Sequence, residues 1–232
     1  KTQNDQIDCF KKPLFPGAFF YSNVSSRIVF IIVIFHMEIS DSKRKRLFIV
    51  DGYAILYRAH FALIRNPLVT SYGLHTSALY GFINQILKLI KSESPEYLVC
   101  AFDSKEKTFR HDAAPEYKAQ REAQPDILYQ QLDLIREMLA KMGVVAIDAA
   151  GFEGDDLIAT IAEKALQAGD ELIIVTGDRD NYQLVCDPHI RVLYNKRGVS
   201  AYALYDEAGI LERTGVTPKQ YADYAALRGD PS

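Results

Sequence analysis

Hydrophobic and polar positions form two alternating kinds of segment from Leu47 onward. Short apolar runs rich in β-branched residues are separated by longer stretches in which apolar residues recur every three or four positions. The short runs are typical of buried strands, and the periodic stretches are typical of helices that cover them. This alternation predicts an α/β fold with a mainly parallel central sheet flanked by helices. The predicted strands are residues 47–51, 97–102, 144–147, 172–176 and 191–194.

Three of the predicted helices have recognisable ends. The first begins after Thr76, whose side chain we expect to cap it. The second ends at Gly143, and the third runs from about Glu153 to Ala168 and ends at Gly169, since glycine suits a left-handed C-terminal position. The apolar faces of the three helices consist, in turn, of Leu79, Phe82, Ile83, Ile86, Leu87 and Ile90; of Leu128, Leu132, Ile135, Leu139 and Met142; and of Leu157, Ile158, Ile161, Ala165 and Leu166.

The N-terminal 46 residues differ from the rest and are expected to be an upstream or disordered leader. Their apolar run, Ile28–Phe35, is too short to span a bilayer, and no small-residue cleavage site follows it. We interpret Met37 as the true start, with an interfacial or signal segment as the alternative. Residues 47–232 then form one catalytic domain that breaks off in mid-motif, and no membrane partner is expected.

Composition and charge limit the class of protein. The chain has 232 residues, of which 48% are hydrophobic and 25% charged, which excludes global disorder and fits one globular domain. The formal net charge of −3 argues weakly against a nucleic-acid partner, but a whole-chain sum can hide a local basic patch. The three cysteines lack the spacing of a zinc site and fit a reducing, cytoplasmic setting.

Acidic residues follow several of the predicted strands. Asp51 closes the first strand, Asp103 follows the second, and Asp178 and Asp180 follow strand 172–176. In open α/β sheets ligands gather outside the carboxyl ends of the strands, so we expect these acids to meet at one edge. Further acids come from the start of the third helix and from the C-terminal end of the chain: Glu153, Asp155, Asp156 and Asp230.

Many carboxylates in one cleft indicate bound cations, because each negative charge raises the pKa of its neighbours. Donors that are all oxygen favour Mg²⁺ or Mn²⁺ over zinc. Two such ions about 3.5–4 Å apart would activate a water and stabilise the leaving oxygen of a phosphodiester. Any one of these acids alone has an ordinary explanation, as a turn residue or as a charge in the first turn of a helix. Their coincidence in several chain segments favours the metal site.

Residues 104–124 fit neither the strand nor the helix pattern and form a charged insertion. Basic residues outnumber acidic ones between Lys105 and Arg121, so the segment is suited to phosphates. Phe109 or Tyr117 could stack on bases. The alternative is a solvated charged loop.

Six different motifs follow one another along the chain, and several of them contain the acids and bases described above. They are IVDGYAILYRAHFA from Ile49, NPLVTSYGLHTSALYGF from Asn66, AFDSKEKTFRHDAAPEYKAQR from Ala101, GFEGDDLIATIA from Gly151, IVTGDRDNYQLV from Ile174 and YAALRGD from Tyr224. Together they resemble the 5′ nuclease family, which includes the N-terminal 5′-3′ exonuclease domain of bacterial DNA polymerase I and the flap endonucleases.

The resemblance implies a PIN-like 5′ nuclease core with a basic helical arch at about residues 104–124. It implies that the acids hold two ions, the first through Asp51, Asp103, Glu153, Asp155 and Asp156 and the second through Asp178, Asp180 and Asp230. It also implies contacts with the scissile phosphate from Arg110, Lys118 and Arg121. The implied DNA-binding residues are Tyr57 and Arg58 beside that phosphate and Lys105, Lys107, Phe109 and Tyr117 in the arch. One departure is Gly154, where the family commonly has alanine, and we expect it to weaken the helix start slightly.

The function implied by the resemblance is a metal-dependent 5′-3′ exonuclease or flap endonuclease that acts on DNA 5′ ends and flaps in replication and repair. The parent protein is then DNA polymerase I or a stand-alone nuclease, and the family pattern continues beyond Ser232 to one more acid and a helical hairpin motif. Two rival interpretations stay open: a related acid-cluster ribonuclease and a non-catalytic DNA-binding fragment.

Overall fold

The computed structural model describes residues 45–114, 116–119, 126–197 and 201–229. Residues 1–44, which contain most of the predicted leader, lie outside the described ranges, as do Arg121 and Asp230. Arg46, placed in the leader by the sequence prediction, is the first residue of the first strand.

One six-stranded sheet forms the centre of the fold. Its strands are β1 (Arg46–Asp51), β2 (Tyr97–Ala101), β3 (Val145–Ile147), β4 (Glu171–Thr176), β5 (Ile190–Arg197) and β6 (Ala201–Tyr205). The spatial order is β3-β2-β1-β4-β5-β6, with every neighbouring pair parallel except β5 and β6. From β1 the chain adds β2 and then β3 on one side, and it then crosses back to add β4 on the other side of β1. The carboxyl ends of β1 and β4 therefore flank the crevice in which open α/β sheets bind ligands.

Helices cover both faces of the sheet. They are α1 (Gly52–Ala62), α2 (Ser77–Glu93), α3 (Phe109–Ala113), α4 (Asp126–Lys141), α5 (Gly154–Ala168), α6 (Glu207–Thr214) and α7 (Pro218–Arg228), with a 3₁₀ turn at Asp180–Leu184. Successive residues of β1 point to opposite cores, Phe48 toward α1, α2 and α4 and Ile49 toward α5. Burial on both faces explains why the parallel strands read as continuous apolar runs.

The predicted fold class and parallel strands are confirmed, and three details differ. Thr76 makes no capping hydrogen bond through its side chain. On α2 the predicted residues Phe82 and Ile86 are buried together with Leu89, which was not predicted, whereas the predicted residues Leu87 and Ile90 are exposed. Neither α1 nor β6 was predicted. Among the described residues no helix has the length and apolar character to cross a bilayer.

Candidate active site

Asp51 occupies the carboxyl end of the central strand β1 and is almost fully buried. Its Oδ1 accepts a hydrogen bond from the Ala54 backbone N–H at 3.0 Å and so caps α1. Its Oδ2 accepts one from the Thr176 hydroxyl at 2.7 Å. Burial raises the pKa of Asp51 to about 6, and the carboxylates of Asp178 and Asp103 act in the same direction. Asp51 is therefore fixed in position and charged only at a cost.

Thr176 was missed by the sequence analysis and lies at the centre of the site. It ends β4, is fully buried, and donates its hydroxyl proton to Asp51. The same hydroxyl oxygen accepts a hydrogen bond from the Asp178 backbone N–H at 2.9 Å. One hydroxyl thus holds two of the predicted metal ligands in a fixed relation. A threonine at the end of an apolar strand gives no signal of this role.

Asp103 and Asp155 complete a central group of acids with Asp51 and Asp178. Asp103 Oδ1 accepts a 2.6 Å hydrogen bond from the Gly154 backbone N–H, and burial raises the pKa of this carboxyl. Burial, followed by the charges of Asp51, Asp178 and Asp103, raises the pKa of Asp155 well above its usual value. These four side chains come from separate segments and affect one another's charge, as the strand-end pattern predicts.

Glu153 and Asp156, predicted as ligands of the same ion, are each paired with a base. Arg110 donates both terminal nitrogens to Asp156, at 2.8 and 2.7 Å. Lys118 donates to Glu153 Oε1 at 2.8 Å, and Tyr117 donates to Glu153 Oε2 at 3.2 Å. The capping interaction of Asp156 with the Glu153 backbone N–H, at 2.9 Å, fixes both acids at the start of α5. Two of the predicted phosphate-binding bases therefore lie directly beside the acids.

The fit to a metal can be judged from the donor set. The central acids offer only oxygen, which suits Mg²⁺ or Mn²⁺. Burial first, and then the charges of neighbouring acids, raise the pKa of Asp51 and Asp155, and a bound cation would oppose both effects. In the described ranges, however, no three Asp, Glu, His or Cys side chains stand in an arrangement that would ligate one ion. The chemistry fits a divalent cation, and its binding requires neighbouring carboxylates to turn toward the fixed Asp51.

The predicted second cluster is only partly described. Asp178 is half-buried and Asp180 is exposed, and the Asp180 backbone N–H donates to Asp178 Oδ1 at 2.9 Å. Asp178 raises the pKa of Asp51 and Asp155, and both Asp178 and Asp180 raise the pKa of Tyr221 on α7. Asp230, the third predicted member, lies outside the described residues.

Arg58 lies across the strand ends rather than in solvent. Its Nη2 donates to the Gly177 carbonyl at 3.0 Å, directly before Asp178. A Cβ on Gly177 would come within 2.1 Å of Arg58 Nε, so a side chain there would displace the Arg58 guanidinium from this position. Tyr57, on the same helix, stacks against Phe61 with ring centroids 6.0 Å apart. Arg58 thus lies at the carboxyl edge of the sheet, and Tyr57 lies on the helix that begins there.

The remaining predicted arch residues lie in and around α3. Lys105 pairs with Asp133 at 3.8 Å on the surface, and Lys107 is exposed. Phe109 is half-buried and packs against Phe152, with ring centroids 6.1 Å apart. Part of its ring is therefore already in contact with the protein. Lys118 adopts a left-handed backbone conformation, φ 57°, which is strained for a residue with a side chain. Arg121 lies outside the described ranges.

Known proteins resemble this chain over most of its length. A sequence model of the family described as "5'-3' exonuclease, N-terminal resolvase-like domain" matches residues 46–215. DNA polymerase I of Mycobacterium tuberculosis (strain ATCC 25618 / H37Rv) is 42% identical over 192 residues, which are 83% of this chain and 21% of that protein. The 5'-3' exonuclease of Bacillus subtilis (strain 168) is 38% identical over 189 residues, 81% of this chain and 63% of that protein. The chain spans about a fifth of the length of such polymerases.

Solved structures share the fold. The T5 D15 protein co-crystallised with metal ions superposes with a TM-score of 0.63 at 22% identity, covering 80% of this chain and 67% of that one. The T5 5'-exonuclease with bound zinc gives a TM-score of 0.59 at 22% identity, with coverage of 80% and 67%. At this identity the likeness concerns the fold alone, and it agrees with a mainly parallel sheet flanked by helices.

Proposed function

Because the chain belongs to the 5′-3′ exonuclease family of N-terminal resolvase-like domains, we propose that it is the catalytic part of a nuclease that cuts DNA at 5′ ends and flaps. Two divalent cations, Mg²⁺ or Mn²⁺, would assist the cut, and the parent would be a cytoplasmic DNA polymerase I that acts in replication and repair. The observation that carries the proposal is the convergence of Asp51, Asp103, Asp155 and Asp178 at one sheet edge beside Arg110 and Lys118.

The proposed mechanism follows from which groups are fixed. The central acids would hold divalent cations, whose chemistry when bound would be to activate a water and to offset the charge on the leaving oxygen. Asp51, held by Thr176 and by the backbone of α1, provides a rigid carboxylate at the base of the cleft. Arg110 and Lys118 orient the scissile phosphate, since each lies within 3 Å of an acid at the cleft rim and carries a charge suited to phosphate oxygens.

A magnesium titration with a labelled 5′-flap DNA tests the proposal. We expect metal-dependent cleavage by the chain and none by the Asp178→Asn variant, which still binds the flap. Glu137→Gln, an exposed acid on α4, is the matched control and is expected to cleave like the parent. A DNA complex without cleavage in any condition supports the binding-fragment interpretation, and cleavage of RNA alone supports the ribonuclease.

A second measurement addresses the arch. We expect Lys118→Ala to slow single-turnover cleavage by roughly a hundredfold, because it removes a positioned charge from the phosphate. Magnesium affinity, followed by calorimetry, should not fall, since Lys118 is not a ligand. An unchanged cleavage rate contradicts the proposed role of this lysine.

A further inference from the structure

A second group of cations lies on the β5–β6 side of the central acids. It surrounds two tyrosines, one buried within β5 and one half-buried at the end of β6. We call this group the Arg–Tyr surface; it comprises Arg58, Arg179, Lys196, Arg213, Tyr194 and Tyr205.

The tyrosines hold these cations at short range. The guanidinium carbon of Arg213 lies 5.3 Å from the ring centroids of both Tyr194 and Tyr205, and its Nη1 donates to the Tyr205 hydroxyl at 2.8 Å. Lys196 Nζ lies 5.9 Å from the Tyr205 ring. The Tyr194 side chain interacts with Arg179 and raises the pKa of its guanidinium. Contacts with rigid rings reduce the side-chain entropy that such cations lose when they bind a ligand.

Ring contacts leave the positive charges unneutralised. Within the described ranges none of the four cations forms an ion pair with a carboxylate, whereas Arg110 and Lys118 both do. The acids that follow β6 are engaged elsewhere. Asp206 caps α6 by accepting from the Gly209 N–H at 2.8 Å, and Glu207 accepts from the Asp187 N–H at 3.1 Å. Arg179, Lys196 and Arg213 are exposed, so their charge is available to a partner.

The location of the surface relates it to the acids. Tyr194 is the register partner of Thr176, whose hydroxyl binds Asp51. Adjacent strands lie about 4.8 Å apart, so the surface begins about one strand spacing from the cleft. The arch bases contact Glu153 and Asp156 at the start of α5, on the other side of the acids. The acids therefore lie between two cationic groups along one edge of the sheet.

We propose that the Arg–Tyr surface binds the phosphodiester backbone of the duplex part of the DNA substrate, on the side of the acids opposite the arch. This inference rests on the proposed nuclease function. Guanidinium groups match phosphate oxygens in a bidentate fork, which suits Arg179 and Arg213 better for a backbone than for an apolar partner. With about 3.4 Å of rise per nucleotide, one strand spacing corresponds to roughly one to two nucleotides, which is the separation we expect between the nearest contacted phosphate and the one at the acids.

Salt-dependent binding tests the inference. The double variant Arg179→Gln/Arg213→Gln removes two exposed charges, and Lys91→Gln/Lys164→Gln removes two exposed charges from α2 and α5 as the matched control. Fluorescence anisotropy in EDTA, where no cleavage occurs, gives the affinity for a 5′-flap duplex and for a single strand over a salt series. We expect the first pair to weaken duplex binding ~10-fold or more and to lower the log–log salt slope by about two. The control pair and the single strand should change little.

Two outcomes overturn the inference: an unchanged salt slope for the Arg179/Arg213 pair, or an equal loss in the control pair. An RNA duplex bound more tightly than DNA, with the same dependence on the two arginines, overturns the choice of DNA. Cleavage of the flap by the parent chain with Mg²⁺, measured in parallel, keeps the two proposals separate. If cleavage fails but the slope changes, only the nuclease function fails; if cleavage succeeds and the slope is unchanged, only the surface fails.

Discussion

Single residues at the sheet edge differ in how far the sequence reveals them. The acids Asp51, Asp103 and Asp178 are predictable because each directly follows a strand, and parallel topology brings strand ends together. Thr176 is not predictable in this way. Its function depends on Asp51, which lies 125 residues away in the chain, and no local pattern records that contact.

Thr176→Val tests the importance of the hydroxyl. Valine keeps the shape and suits a strand, but it leaves Asp51 Oδ2 and the Asp178 N–H without their buried partner. We expect the free energy of unfolding in urea to fall by about 1–3 kcal/mol. Single-turnover cleavage should fall by about ten- to a hundredfold as the two acids lose their fixed relation. Thr176→Ser retains the hydroxyl and should behave like the parent; equal behaviour of the two variants contradicts the prediction.

Secondary-structure elements are predictable from the sequence only where their signals are local. Helices α4 and α5 were predicted with their buried faces because a 3.6-residue period and a terminal glycine are local signals. Helix α1 was missed because its buried residues, Ile55, Leu56 and Ala59, form a narrow stripe next to a strand. Strand β6 was missed because it is a partly exposed edge strand without β-branched residues.

The N-terminus of α2 illustrates a cap that comes from another element. Thr76 precedes the helix, yet the buried side chain of Gln131 on α4 accepts hydrogen bonds from the Ala78 and Leu79 N–H groups, at 2.9 and 3.1 Å. The Thr76 hydroxyl donates instead to the Leu68 carbonyl at 3.3 Å. Capping across elements satisfies the same orphan donors as a local cap, but it has no sequence signature.

Separate substitution of Gln131 and of Thr76 shows which side chain stabilises the N-terminus of α2. Gln131→Met keeps the volume but leaves two N–H groups without an acceptor, so we expect the free energy of unfolding to fall by about 1–3 kcal/mol. Thr76→Val removes only a long, exposed hydrogen bond and should cost less than about 0.5 kcal/mol. Urea unfolding of both variants provides the measurement. A larger loss of unfolding free energy for Thr76→Val than for Gln131→Met would contradict this prediction and support Thr76 as the cap.

At the scale of the whole molecule, charge is segregated although the net charge is only −3. A central group of acids lies between the arch bases and the Arg–Tyr surface along the carboxyl edge of the sheet. The sequence predicted that edge and the arch bases. It did not predict that Glu153 and Asp156 would pair with Lys118 and Arg110, because those contacts join side chains 35 and 46 residues apart.

Segregated charge makes the stability of the whole chain depend on divalent metal. The central acids repel one another without a cation, so Mg²⁺ should stabilise the folded state, by about 2.7 kcal/mol at a hundred times its dissociation constant. Asp155→Asn removes one of the repelling charges, and its side-chain oxygen can still accept from Asn181. In EDTA we therefore expect this variant to unfold at a higher temperature than the parent. The expected gain in the free energy of unfolding is on the order of 1 kcal/mol. In Mg²⁺ the order should reverse, because the variant has lost a ligand. Glu137→Gln should follow the parent in both conditions, and a variant that is less stable than the parent in EDTA would mean that the acids do not repel one another in the folded chain.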